Sequence, residues 1–251
     1  MSGTTAAALT FLIVGAGRGG TSLLAALLDA HPDLEIGFEH ASVACLMGSS
    51  LPVAFQSCDP SRLAHDRIAA FLACCNEEAR QHPGKRWGNK ITTEQIGGLE
   101  VHNQVNLARP INVLEVFFEE ALAAVPVIFI LRDGRTCVRS KMARTGQPLE
   151  TACTRWRYSV RVLDYLRSRH KAFYWLRYED LVREPETTLA GLCRFLAIRY
   201  DERMLRGTST TKLLPEYRRD GIERARLGLE GVPDGCVTLI EDDLRRYGYM
   251  Y

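Results

Sequence analysis

The sequence lacks a strong excess of charge. Lys and Arg number 32 against 30 Asp and Glu, a net charge of +2, which excludes bulk electrostatics as a basis for binding nucleic acid or an anionic membrane. It also lacks any C-x-x-C pair. The eight cysteines are scattered over 251 residues, with only Cys74 and Cys75 adjacent. That argues against a zinc site and a disulfide scaffold, and favours buried thiols in a reducing compartment. No apolar stretch reaches membrane-spanning length. Residues 6–14, AAALTFLIV, imitate a signal-peptide core, yet no basic segment precedes them and no cleavage site follows. No repeat, linker or low-complexity tract divides the chain, so one cytoplasmic domain over residues 1–251 is expected. The most specific absence is one lysine. In the turn G-A-G-R-G-G-T-S, residues 15–22, Thr21 stands where a nucleotide triphosphatase carries its phosphate-binding lysine.

What is present alternates between strands and helices. Apolar or β-prone runs predict strands at Phe11–Val14, Ile111–Leu114, Val127–Leu131 and Phe173–Arg177. Helical spacing predicts helices at Thr21–Ala30, Arg62–Gln81, Arg135–Arg144, Leu149–Arg169 and Thr187–Leu196. That alternation implies an α/β fold, a P-loop-like three-layer sandwich whose central parallel sheet is flanked by helices. Ligands of such sheets bind at the carboxyl ends of the strands. The stretch from His40 to Lys90, rich in Gly, Ser and Pro around residues 48–61, reads as an excursion over the sheet edge that shapes an acceptor pocket.

Two stretches carry chemistry. In the first, a buried strand stops at Gly15 and a helix starts near Thr21, so unpaired N–H groups and the positive end of the helix dipole form an anion cradle. Gly15, Gly17, Gly19 and Gly20 admit the anion closely, Thr21 and Ser22 add hydroxyls, and Arg18 supplies a planar fork of donors. The second, VIFILRDGRTCVRSKMARTGQ at residues 127–147, repeats the pattern: Arg132 sits at the mouth of a strand and Ser140 on the helix that follows. Between residues 132 and 157 seven basic side chains face two acidic ones. Two separated anion grips suit a ligand with two phosphate-like groups, such as an adenosine bearing a 3′-phosphate and a 5′-phosphosulfate.

Both stretches resemble the nucleotide motifs of the sulfotransferases that use 3′-phosphoadenosine 5′-phosphosulfate, and the agreement is closest to the tyrosylprotein branch. The resemblance spans about residues 11–200. It includes LLAALLDAHPDLEIGFEH, LRDGRTCVRSKMAR, Asn89-Lys90 and the run YEDLVREPETTLAGLCRFLAI. It implies that Arg18, Gly19, Gly20, Thr21 and Ser22 hold the 5′-phosphosulfate. Arg132, Ser140 and Arg144 hold the 3′-phosphate, with Tyr178 near the nucleotide. Glu39 matches the catalytic base, Lys90 the transition-state lysine, and Ser209 a serine that steadies the transferred group. His40 competes for the role of base, because its unperturbed pKa lies near neutrality. The basic segment YRRDGIERAR is expected to close over the nucleotide.

Three departures qualify the resemblance. Thr92 stands where the small-molecule branch carries its histidine base. Gly19 replaces the usual serine of the loop. The tyrosylprotein enzymes carry a membrane anchor before the catalytic domain, whereas this chain starts at its first strand, so secretory protein tyrosines are not the expected acceptor. The implied reaction is metal-free, in-line sulfuryl transfer to a hydroxyl-bearing acceptor, releasing 3′,5′-ADP, with no nucleic-acid or membrane partner; the sequence leaves homodimerisation open. The rivals are a small-molecule kinase with Asp133 as magnesium partner, a non-catalytic nucleotide-binding protein, and a nicotinamide oxidoreductase with Glu35 or Glu39 on the ribose.

Overall fold

The computed structural model describes residues 8–47, 62–106, 111–222 and 227–251. Five parallel strands form one sheet: β1 (Phe11–Gly15), β2 (Leu34–Phe38), β3 (Arg86–Lys90), β4 (Val127–Leu131) and β5 (Phe173–Arg177), in the order β2-β3-β1-β4-β5. β1 and β4 are buried along their whole length, as the unbroken runs FLIV and VIFIL require when helices cover both faces. Successive side chains point to opposite faces. Phe11 and Ile13 of β1, with Ile128 and Ile130 of β4, pack under α1 (Thr21–Asp29), α8 (Tyr178–Arg183) and α9 (Pro185–Phe195). Leu12 and Val14, with Val127 and Phe129, pack on the other side. That face is covered by α2 (Ser42–Leu46), α3 (Leu63–Arg80), α4 (Thr93–Asn106), α6 (Gly134–Thr145), α7 (Leu149–Arg169) and α10 (Cys236–Arg246). The expected three-layer α/β sandwich is the fold.

Two strands escape the hydrophobic pattern. β2, LEIGF, alternates and fully buries only Leu34 and Ile36. β3, RWGNK, has a single large apolar residue, Trp87, yet four of its five residues are buried. It therefore ends the 40–90 stretch inside the sheet, between β2 and β1; residues 48–61 of that stretch lie outside the described residues. Gly88 makes the β3–β1 pairing possible. It sits opposite Phe11, and a Cβ there would lie 2.4 Å from the Phe11 ring.

The strand expected at Ile111–Leu114 is not formed. Asn112 accepts the Glu115 N–H at its side chain (3.4 Å) and starts a helical turn, α5 (Val113–Glu115), which continues as a π-helical turn at Val116–Ala121. Val113, Leu114, Phe117 and Phe118 all reach the core. Their spacing of four is a helical period, and it outweighs the β propensity of three residues.

Candidate active site

The loop between β1 and α1 is held open by backbone geometry. Gly20, at the N-cap of α1, has φ 98°, and a Cβ there would lie 2.3 Å from Cδ2 of Tyr178. Only glycine combines that dihedral with that contact. Gly20→Ala is expected to lower thermal stability by about 1–3 kcal/mol and to weaken nucleotide binding, both read from thermal unfolding with and without 3′,5′-ADP. Four non-glycine residues among those described have positive φ, and three stand at this end of the sheet: Arg18 (71°), Glu39 (61°) and Ala41 (56°). Backbone strain of this kind concentrates at functional sites.

Arg18 and Arg132 meet in one cleft. Arg18 donates from Nε to Ser140 Oγ (3.2 Å) and from Nη1 to the Tyr217 hydroxyl (2.8 Å), with its guanidinium 4.8 Å from the centre of the Tyr217 ring. Its carbonyl accepts from Nη1 of Arg132 (3.2 Å). Arg132 also donates from Nε to Thr136 Oγ1 (2.9 Å) and lies 4.5 Å from the Tyr178 ring centre; it is only 7% exposed. Two cations anticipated as separate grips thus open onto one cleft, linked through the Arg18 carbonyl, their forks oriented by neighbours rather than by solvent. They line an open cleft together with Thr21, Ser22, Tyr178, Tyr217 and Arg219. Tyr217 and Arg219 come from the YRRDGIERAR segment, of which residues 223–226 lie outside the described residues.

The remaining nucleotide candidates are near but differently engaged. Arg144 is half exposed, pairs with Glu216 (3.0 Å) and reaches the Tyr217 ring (5.8 Å) at the cleft rim. Ser209 is exposed, and its hydroxyl donates to the Arg206 carbonyl (3.0 Å). The residue of that segment that lines the cleft is Thr208. Beneath the loop, the Cys137 thiol donates to the Gly17 carbonyl (3.6 Å). Burial pushes that thiol up to about 11, so it packs as a small apolar group. The described cysteines are all free.

The catalytic candidates converge beside the cradle, from the ends of β2 and β3. Glu39 follows β2 directly, and its N–H donates to the Lys90 carbonyl (2.8 Å). Asn89, fully buried, brackets the main chain of His40, accepting its N–H (3.2 Å) and donating to its carbonyl (3.0 Å). This turn aims Glu39 at Lys90: Nζ lies 2.6 Å from Oε1, with the lysine side chain 4% exposed and the carboxylate 34% exposed. The imidazole of His40 stands edge-on to Trp87, ring centres 5.8 Å apart.

Two neighbours on α4 carry no obvious sequence signal. Glu94 accepts the Gly17 N–H (2.8 Å) and pairs with the buried Lys141, tying the loop to α6. Gln95 donates to Glu39 Oε2 (2.7 Å) and accepts the Thr92 N–H at Oε1 (2.9 Å). The second of these bonds is half of a capping box, so the T-x-x-Q spacing at 92–95 was the available clue.

Two side chains on which rival readings depend are engaged by neighbours. Asp133 does not line the cleft. It caps α6 by accepting the Arg135 N–H (2.9 Å), and Arg135 grips both its oxygens, Nη2 to Oδ2 at 2.6 Å. That pairing raises the Arg135 pKa above its ordinary value. A magnesium partner for a kinase is thus committed elsewhere. Glu35 is bound to Lys85 (2.8 Å) and Lys212. Burial pushes its pKa up, but the two lysines outweigh burial and hold it below the usual carboxylate range. It is not free for a ribose.

A parallel sheet with a glycine turn and two arginines at its strand ends defines a P-loop-like α/β sandwich with a cationic cleft. A model of the sulfotransferase family matches residues 11–202, and the chain belongs to that family. It is 26% identical over 213 residues to a protein-tyrosine sulfotransferase of Drosophila melanogaster, an alignment covering 77% of this chain and 39% of that protein. Among solved structures it resembles the sulfotransferase domain of the Synechococcus PCC 7002 olefin synthase: TM-score 0.63, 19% identity, 96% of this chain and 94% of that one. The sulfotransferase domain of the curacin biosynthetic pathway is similar at TM-score 0.59 and 14% identity, covering 94% and 97%. These two likenesses are of fold. No helix among the described residues is long and apolar enough to cross a membrane.

Proposed function

We propose that the protein transfers a sulfuryl group from 3′-phosphoadenosine 5′-phosphosulfate to the hydroxyl of a small molecule or natural product in the cytoplasm. The observation that carries this reading is the cleft shared by Arg18 and Arg132, with the Glu39–Lys90 pair at the neighbouring strand end. The fit is chemical as well as spatial. The Gly20 turn leaves room for the Tyr178 ring where a Cβ would collide with it, and the two guanidiniums supply charge for both ends of the donor. The donor supplies an activated sulfuryl group on a phosphate leaving group.

The chain's own residues do the rest. Thr21, Ser22 and the loop amides orient the sulfuryl end, and Arg18 faces charge that grows on the leaving phosphate. Arg132 and Ser140 hold the 3′-phosphate, with Arg144 at the rim and the Tyr178 ring centre 4.5 Å from the Arg132 guanidinium. Glu39 takes the proton of the acceptor hydroxyl as its oxygen bonds to sulfur, and the sulfur–phosphate oxygen bond breaks with its electron pair on the phosphate. Lys90 neutralises charge on the transferred group; a preorganised cation of this kind is worth about 3 kcal/mol in barrier. The described parts of the 40–90 stretch, residues 40–47 and 62–90, supply walls of the acceptor pocket, and the identity to the fly relative makes a tyrosyl hydroxyl the second acceptor reading.

The test is transfer of label from a sulfur-labelled donor to a panel of phenols, alcohols and a tyrosyl peptide, without added metal. Label in an O-sulfate ester, with release of 3′,5′-ADP, is expected. Transfer from γ-labelled ATP with magnesium, and none from the sulfur donor, would overturn the reading.

A further inference from the structure

Glu39 is held at both oxygens, and only one of its partners belongs to the machinery described so far. Lys90 meets Oε1; Gln95 donates from Nε2 to Oε2 at 2.7 Å. Gln95 is 2% exposed. Its other amide atom, Oε1, accepts the Thr92 N–H at 2.9 Å, so the side chain cannot flip without breaking both contacts. Thr92 lies two residues beyond Lys90 in the chain, so the amide bridges the start of α4 to the carboxylate. Its neighbour Glu94 holds the Gly17 N–H of the cradle. The first turn of α4 thus touches the donor loop with one residue and the proton acceptor with the next.

We infer that Gln95 is a positioning residue of the transfer reaction. Its amide fixes the rotation of the Glu39 carboxyl, leaving Oε1 between Lys90 and the incoming hydroxyl. A lysine contact alone lets the carboxylate pivot about one oxygen; a second donor on the opposite oxygen removes that freedom, and orientation of the base is a direct component of the rate. The assignment rests on Glu39 as proton acceptor, the role proposed above.

A capping box explains only half of these bonds, which makes the role separable. Gln95→Glu keeps an oxygen for the Thr92 N–H, because glutamate serves equally in that motif. It replaces the N–H facing Glu39 by a second acceptor. Expected are an unfolding temperature and a 3′,5′-ADP affinity close to the parent's, with kcat lower by about 10- to 100-fold. The acid limb of the kcat/KM profile should move to higher pH by about one unit, since loss of a donor and gain of a like charge both favour the protonated carboxyl. Gln95→Met, which removes both bonds without adding charge, should shift the limb the same way, by less. Carbon-13 titration of the Glu39 carboxyl, assigned with Glu39→Gln, reads the same midpoint without turnover. It therefore separates failure of this assignment from failure of the sulfuryl-transfer reading. An unmoved Glu39 midpoint in both variants, or a loss of kcat that tracks lost thermal stability at an unchanged pH profile, overturns the inference.

Discussion

Glu39→Gln is expected to reduce turnover by about 100- to 10,000-fold, the range that a positioned general base contributes, while 3′,5′-ADP binds as in the parent. The substitution keeps the shape and an oxygen for Lys90 or Gln95, so the carboxylate's proton affinity is what it removes. Lys90 supplies the companion result. It is 4% exposed and its ammonium is 2.6 Å from Glu39, so Lys90→Ala deletes the cation that faces the transferred group and unpairs the base together. A fall in kcat at least as large is expected, with donor affinity nearly preserved. Steady-state kinetics against calorimetric binding of 3′,5′-ADP separates the two quantities. Near-normal turnover of Glu39→Gln would move the proton to His40, in spite of that ring's place against Trp87.

The second large effect belongs to Arg132. Its guanidinium is held by Thr136, by the Arg18 carbonyl and by the face of Tyr178. Its entropy of immobilisation is therefore already lost before the nucleotide arrives. A charge-assisted hydrogen bond contributes about 1.5–3 kcal/mol, so Arg132→Ala is expected to weaken 3′,5′-ADP binding about 10- to 150-fold. Arg132→Lys should recover only a small part of this, because a point charge reproduces neither the stack on Tyr178 nor the fork to two acceptors. The same substitution should leave AMP binding much less affected, since AMP has no 3′-phosphate to lose. Equal losses for both nucleotides would mean that Arg132 supports the loop through the Arg18 carbonyl rather than gripping a phosphate.

How much of this was legible in the sequence depended on whether a feature was local. β1, β4 and β5 stand out because apolar or β-prone runs end at glycine, arginine or aspartate, and the cradle follows from the same punctuation. β2 and β3 do not. LEIGF buries two side chains fully, and RWGNK gives its positions to polar Asn89 and charged Lys90. A strand that spends its residues on a site forfeits the pattern by which strands are recognised. Ile111–Leu114 shows the opposite error, where β-prone residues sat on a helical period capped by Asn112. The site divides in the same way. Arg18 and Arg132 announce themselves at strand ends, but Glu39 and Lys90 are 51 positions apart and were paired only through a family resemblance. Glu94 and Gln95 act across 77 and 56 positions, and nothing local marks them beyond a helix-start signature.

The most direct measurement is a calorimetric titration of the protein with 3′,5′-ADP, with AMP, and with ATP plus magnesium, at one ionic strength. If Arg18 and Arg132 grip opposite ends of one donor, 3′,5′-ADP binds most tightly, AMP is weaker by about 10- to 150-fold for want of the 3′-phosphate, and magnesium–ATP is weaker still. Equal affinity for AMP and 3′,5′-ADP, or preference for magnesium–ATP, would contradict a cleft built for a sulfuryl donor.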